Sequence, residues 1–376
     1  MGITVEALRT KARAYRRALR SLISSGTLSE MDRHTLSRGV VWLYDFLKLI
    51  YLSIRVSHSF GPKTVSLNRS EALVLCLVRD GELWIKEFVE HYFAKGFKHI
   101  VFLDTGSTDQ TLNIARQYSN VTVLETRVPF KDHDLLFRRY LVKKFAKNAW
   151  SLTADIDEFW DYPHSDTLKL KMLLVYLNES GANAMVAQTL DMFMPELPTD
   201  AVESLKLYDH YDHSAIKKDA LDQGGGYRDH GFYSRNAFCK NIQFYRGGIR
   251  AKKFGMEDIW LTKMPLIFFD NHIHAAEHQH FSNNAMVADL TSVLFHYKFT
   301  HNFREKIQDA LEQKQYFGDS VDYQDYAETL TEASRFQFTT PSMRRFKSIE
   351  NLVKEDFLTV SKSFLAFVQK HNESQN

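Results

Sequence analysis

Between residues 72 and 157 the chain alternates short, unbroken apolar runs with longer stretches whose apolar positions recur every three or four residues. The run 72–78, ALVLCLV, has the length and continuity of a strand buried on both faces. Residues 82–95 then place Ile85, Phe88, Val89, Tyr92 and Phe93 on one helical stripe. The pattern repeats: HIVFLD (99–104) predicts a strand, 107–118 a helix opened by capping residues, 121–125 a strand, 134–149 a helix and 150–157 a fourth strand. Strands and helices joined by short connections predict an α/β fold, a parallel sheet with helices on both faces. Upstream, residues 1–58 read as a helical N-terminal extension with a break near 24–32, and the Gly, Pro and Ser of 59–70 read as a linker. Downstream, 166–180 reads as a helix and 182–194 as a strand. A loop-rich stretch, 200–250, carries His210, His213 and His230. Strand-like runs return at 266–269 and 293–299, and 301–376 reads as a helical C-terminal extension.

In such sheets ligands bind beyond the carboxyl ends of the strands. The sequence concentrates polar residues there: Arg79 and Asp80 after the first strand, DTGSTD (104–109) after the second, Asp155 and Asp157 at the fourth. Alternate residues of an extended segment face the same way, so two carboxylates so placed repel each other unless a cation joins them. Oxygen ligands favour a hard ion, Mg²⁺ or Mn²⁺, which takes its remaining ligands from phosphate and water. Gly106 permits a tight turn after Asp104, whose carboxylate can accept a hydrogen bond from a base or ribose.

Composition adds restraints. Cys76 and Cys239 cannot build a disulfide framework or a Cys-based zinc site, and with no apolar leader at the start the chain reads as intracellular. Residues 1–70 hold 12 Lys and Arg against 4 Asp and Glu, and the remainder 36 against 42. This asymmetry predicts a basic arm that meets an anionic surface, a membrane or a partner, before an acidic body unsuited to nucleic acid. The apolar stretch 39–56 is interrupted by Asp45, Lys48 and Arg55, and reads as a buried or interfacial helix, not a span.

Taken in order, LVRDGELWIKEFVEHYFAKGFKHIVFLDTGSTDQT, TADIDEF and VLFHYKF resemble the motifs of glycosyltransferase family 2 on the GT-A fold, over roughly residues 72–300. The bacterial subgroup with D-x-D-E-F and L-H-F/Y-K-F motifs is the nearest pattern. The resemblance implies a GT-A domain over 71–300, a nucleotide-sugar donor, with UDP the family's commonest nucleotide, and Mn²⁺ or Mg²⁺. Carried onto this chain, Val78, Arg79, Asp80, Asp104 and Thr105 would border the nucleoside, and Arg139 would meet the donor. Asp155 and Asp157 would form the metal and diphosphate motif, with His296 a further metal ligand and Lys298 a counter-charge to phosphate. Asp80-Gly81 stands where the family has Asn-Glu, and Thr105 where it has Asn or Asp.

The resemblance further implies displacement with inversion at the anomeric carbon and a glycan or glycolipid acceptor in surface polysaccharide synthesis. The cysteine content and the basic arm place the chain in the cytoplasm, at the inner face of the membrane, as a monomer or an oligomer. A base must then deprotonate the acceptor hydroxyl. Glu257, Asp258, His278, His280 and Glu158 are the candidates. Three other readings stand beside this one. The histidines His272, His274, His278 and His280 could bind zinc in a hydrolase, the acid pair could serve a nucleotidyltransferase, and the fold could be a membrane-held binding module without turnover.

Overall fold

A computed structural model describes residues 38–131, 133–220, 236, 241–270, 272–276, 280–313, 317–331 and 335–374. The chain divides into two compact units, Met1–Val56 and Ser57–Asn376. In the first, helix α1 spans Arg38–Arg55. Residues 1–37, most of the predicted helical arm, lie outside the described residues. Among the described residues no helix is long and apolar enough to cross a membrane.

The second unit is built on a nine-stranded mixed sheet. It opens with β1 (Val56–Phe60), a strand where the end of the helical extension and the start of the linker were expected. The predicted alternation then follows: β2 (Ala72–Val78), helix α2 (Glu82–Ala94), β3 (His99–Asp104), α3 (Thr111–Ala115), β4 (Val121–Thr126), α4 (Asp134–Phe145) and β5 (Ala149–Thr153). Then come β6 (Glu158–Asp161), α5 (Leu170–Glu179), β7 (Ala184–Asp191), the short strands β8 (His210–Tyr211) and β9 (Ile216–Ala220), and β10 (Gln243–Gly247), which pairs with β9. Helix α6 (Ile249–Phe254) leads into the long strands β11 (Thr262–Phe269) and β12 (Val287–His296). The sheet order is β1-β4-β3-β2-β5-β11-β7-β12-β6. Strands β4, β3, β2, β5, β7 and β12 run one way, whereas β11 and β6 run against them.

Every residue of β2 is buried, as its continuous apolar run predicts. Val74, Cys76 and Val78 share a core cluster with Ile85, Phe88 and Val89 of α2, while α4 packs against β2 and β3. Cys76 is the small, buried apolar residue expected of it. Two of the boundaries that differ from expectation bear on the strand ends. Strand β5 stops at Thr153, and the Glu158 N–H donates to the Asp155 carbonyl at 3.0 Å, so Asp155 and Asp157 stand in a turn and not on a strand. Helix α3 is shorter than 107–118 because the Asp104 carboxylate accepts from the Gly106 and Ser107 amides, and Asp109 from Thr111, which holds 104–110 as a loop.

The C-terminal helices α7 (Phe303–Gln313), α8 (Phe317–Thr331), α9 (Ile349–Lys354) and α10 (Lys362–Glu373) belong to the same unit as the sheet. Phe303, Ile307 and Tyr326 form an aromatic-rich cluster with Phe193, Phe254 and Phe338. Leu352, Phe364 and Val368 join the main core.

Candidate active site

The parallel strands end on one side of the sheet, and a cavity of about 350 Å³ opens there. Val78 closes β2 and Arg79 follows it, Thr105 follows β3, Asp155 and Asp157 follow β5, and His296 closes β12, all lining it. Because β11 and β6 run the other way, their first residues reach the same rim: Lys263 near the start of β11 and Glu158 at the start of β6.

The best-organised part is a line of alternating charge. Strand register sets His296 beside Asp191, the last residue of β7. The His296 Nδ1–H donates to Asp191 Oδ1 at 2.6 Å, and Arg250 donates to the other Asp191 oxygen at 2.8 Å. That bond aims Nε2 at Asp157 Oδ2, 3.6 Å away. Lys306 of α7 lies 3.7 Å from the same oxygen and 4.8 Å from the centre of the Trp84 ring. Burial opposes charge on His296, but the Asp157 and Asp191 carboxylates outweigh it and raise its pKa above the ordinary value. Burial likewise works to raise the pKa of Asp157 and Asp191. For Asp157 the His296 and Lys306 cations, and for Asp191 the Arg250 and His296 cations, hold it well below the usual carboxylate range.

A second charged group sits alongside. Arg138 of α4 donates to Asp155 Oδ1 at 2.7 Å, and Lys263 donates to Asp155 Oδ2 at 3.1 Å and to Glu158 Oε1 at 2.6 Å. Burial disfavours the charged forms, yet the mutual attraction prevails: it lowers the pKa of Asp155 and raises those of Arg138 and Lys263. Both oxygens of Asp155 are thus taken by cations. Among the described residues no three His, Cys, Asp or Glu side chains are grouped to hold a metal. Asp157 and His296 nonetheless suit a hard divalent ion. They face each other across a gap too long for a hydrogen bond, within the span of two ligands about 2.1 Å from one centre. Asp191 braces the imidazole from behind, as carboxylates do for metal-bound histidines. Two such ligands would leave the other positions of a bound ion to phosphate and water, the usual arrangement for Mg²⁺.

The remaining sequence-derived candidates fall into two groups. Lys298 and His280 line the cavity, Lys298 with its ammonium 4.9 Å from the Tyr323 ring centre. Asp80, Asp104, Arg139, Glu257 and Asp258 do not line it. Asp80 accepts from the Thr108 amide at 2.7 Å with its own backbone at φ 49°, and buried Asp104 caps its own turn, so both shape the loops instead of facing the cavity. Arg139 donates to the Ala276 carbonyl at 2.9 Å; the arginine that lines the cavity is its neighbour Arg138. Glu257 pairs with Lys217 and Asp258 with Arg246 on the surface, their side chains 64% and 84% exposed. Among the described histidines of the run, His280 lines the cavity, while His272 and His274 do not. His278 and His230 lie outside the described residues.

The sequence reading passed over Arg138, Asp191, Arg250, Lys263, Lys306 and Tyr323. One signal was available for Asp191, since an aspartate closes a mainly apolar strand run there as Asp104 does in β3. Lys263, a cation opening the apolar TKMPLIFF, carried a similar mark.

No family model and no curated protein matches the chain. Among solved structures, similar ones include S. aureus TarS 1–349, at 19% identity over 35% of this chain and 42% of that one, with a TM-score of 0.27. The same fragment in complex with UDP matches at 18% identity, 42% and 44% coverage and a TM-score of 0.27. Mannosyltransferase PcManGT from Pyrobaculum calidifontis, in complex with GDP-Man and Mn²⁺, matches at 18% identity, 41% and 43% coverage and a TM-score of 0.23. The chain spans under half the length of each of these proteins. Likeness at this level assigns no activity.

Proposed function

We propose that the cavity binds a nucleotide-sugar donor and transfers its sugar to an acceptor hydroxyl, a hexosyltransferase-type reaction with inversion on a UDP-linked donor. The observation that carries this reading is the convergence, at the carboxyl ends of parallel strands, of Asp157 and the braced His296 with Arg138, Lys263, Arg250, Lys298 and Lys306. Five cations around a few carboxylates suit a diphosphate, whose charge they share. Trp84, Trp260 and Tyr323 add ring faces for a base or a sugar. Arg138 Nε and Thr189 Oγ1 are buried at the cavity without a hydrogen-bond partner among the described residues, polar groups consistent with a site built for a polar ligand.

Asp157 and His296 would hold Mn²⁺ or Mg²⁺, which when bound supplies Lewis-acid stabilisation of the departing phosphate. The chain's own residues do the rest. Lys298 and Lys306 neutralise phosphate oxygens, and Arg138 and Lys263 fix Asp155 for the donor. His280 is the candidate base. Its Nδ1 faces the Thr262 carbonyl at 2.9 Å, and a carbonyl only accepts, so Nδ1 carries the proton. In the neutral ring Nε2 is then the nitrogen able to take one from an acceptor hydroxyl. The acceptor is proposed to be a glycan or glycolipid of surface polysaccharide synthesis at the cytoplasmic face of the membrane.

The test is a panel of UDP- and GDP-sugars scored by thermal shift and by donor hydrolysis, with Mn²⁺ and with EDTA. A donor that stabilises the protein and is cleaved slowly without acceptor supports the proposal. No shift with any nucleotide or nucleotide sugar overturns it.

A further inference from the structure

Helix α1 carries a second feature, apart from the cavity chemistry. Leu47, Ile50, Tyr51 and Ile54 fall at helical spacing on one stripe, and their exposures are 55%, 41%, 40% and 75%. Leu52, on the opposite side of the helix, is by contrast fully buried. Exposed apolar residues aligned in this way mark a binding surface, whereas scattered ones do not. Charge distinguishes the occupants. Lys48 and Arg55 flank the stripe, their charged groups 6.0 and 5.3 Å from the Tyr51 ring centre. Residues 1–70 carry the 12 Lys and Arg against 4 Asp and Glu noted above. A second copy placed on this face would bring two strongly basic segments together, which costs energy. An anionic surface reverses the sign of that term, and the acidic remainder of the chain would be repelled from it.

We infer that α1 docks on an anionic lipid surface, lying in the interface with Leu47, Ile50, Tyr51 and Ile54 in the acyl boundary and Lys48 and Arg55 among the headgroups. An 18-residue helix is about 27 Å long, short of the hydrocarbon thickness, and it carries Asp45 and Lys48 near its middle. It therefore lies flat and does not span. Tyrosine is well suited to that boundary, with an apolar ring and a polar tip. The inference concerns α1 alone and stands whether or not the cavity transfers sugar.

The test is co-sedimentation of the full chain with vesicles of phosphatidylcholine alone, and with vesicles of equal parts phosphatidylcholine and phosphatidylglycerol. Binding is expected only to the anionic vesicles and is expected to weaken as salt rises. Ile50→Ser with Ile54→Ser should lower the partition coefficient about tenfold or more, since two aliphatic side chains leave the lipid. Both sites are exposed, so unchanged circular dichroism is expected to accompany the loss. Three results would overturn the inference: no binding to anionic vesicles, equal binding by the variant, or a concentration-dependent dimer in sedimentation velocity that the variant abolishes. The last would assign the stripe to a second copy.

Discussion

Replacing Lys263 by methionine removes the cation that sits between two carboxylates. Its ammonium lies 2.6 Å from Glu158 and 3.1 Å from Asp155, and the Glu158 side chain is only 3% exposed. Methionine fills much of the lysine stem's volume, so the change is chiefly one of charge. Arg138 remains 2.7 Å from Asp155, and that carboxylate keeps a partner. Glu158 is left buried, and among the described residues the Asp155 amide, 3.3 Å away, is then the remaining donor to its side chain. Breaking a buried pair from one side costs about 3–5 kcal/mol, because the surviving charge has lost both water and partner. Removing the Glu158 charge as well should restore most of that loss. The assay is urea unfolding followed by tryptophan fluorescence, for which buried Trp84, Trp150 and Trp160 are suitable reporters. Wild type, Lys263→Met, Glu158→Gln and the double variant form a thermodynamic cycle. Lys263→Met is expected to lose about 3 kcal/mol, and the double variant distinctly less than the sum of the singles. A Lys263→Met variant within about 0.5 kcal/mol of wild type, the range of ordinary surface changes, would refute the reasoning.

Other positions give independent checks. Burial pushes the pKa of His99, whose Nε2 meets Thr122, down from 6.5 to about 4. The unfolded chain therefore takes up a proton below pH 6.5 that the folded chain refuses, and stability falls as pH drops towards 4, by up to about 3 kcal/mol. His99→Gln should flatten that part of the profile in urea midpoints measured across the range, and an unchanged slope would contradict the assignment. Gly61 has φ +79°, and a Cβ there would stand 2.0 Å from the Val121 carbonyl oxygen. Gly61→Ala should cost about 2 kcal/mol or more in thermal unfolding, because backbone must move to admit it. With a donor in hand, His280→Gln should lower turnover about 10²–10⁴-fold while leaving nucleotide affinity near wild type. A matching loss of affinity would make His280 a binding group instead of a base.

The half of the fold that local pattern can specify was legible. The unbroken run of β2 and the mainly apolar runs of β3 and β4 announce buried strands, and the stripe of α2 announces the helix that packs on them. The strand ends were legible for the same reason, since Arg79, Thr105, Asp155 and Asp157 each follow a readable run and do face the cavity. What failed was anything set by geometry finer than the period or by partners distant in sequence. Arg138 and Arg139 are neighbours on α4, and about 100° of helical rotation decides which one enters the cavity. Asp191 and His296 meet because β7 and β12 are parallel neighbours in register, a pairing that neither strand's own pattern encodes. Lys306 and Tyr323 belong to helices whose surface-like sequence gave no sign that they reach the cavity. Asp80 and Asp104 show the converse: acids at strand ends also serve as turn caps, and sequence does not separate the two uses.

The central claim is that Asp157, with His296 beside it, holds the divalent ion that a nucleoside diphosphate needs. Calorimetric titration of UDP and GDP into the protein, with Mn²⁺ and with EDTA, tests it most directly when repeated on Asp157→Asn. The account predicts Mn²⁺-dependent binding of at least one nucleotide by the wild type and its loss in a variant that remains folded. Equal affinity in EDTA, or in the variant with Mn²⁺, would contradict it.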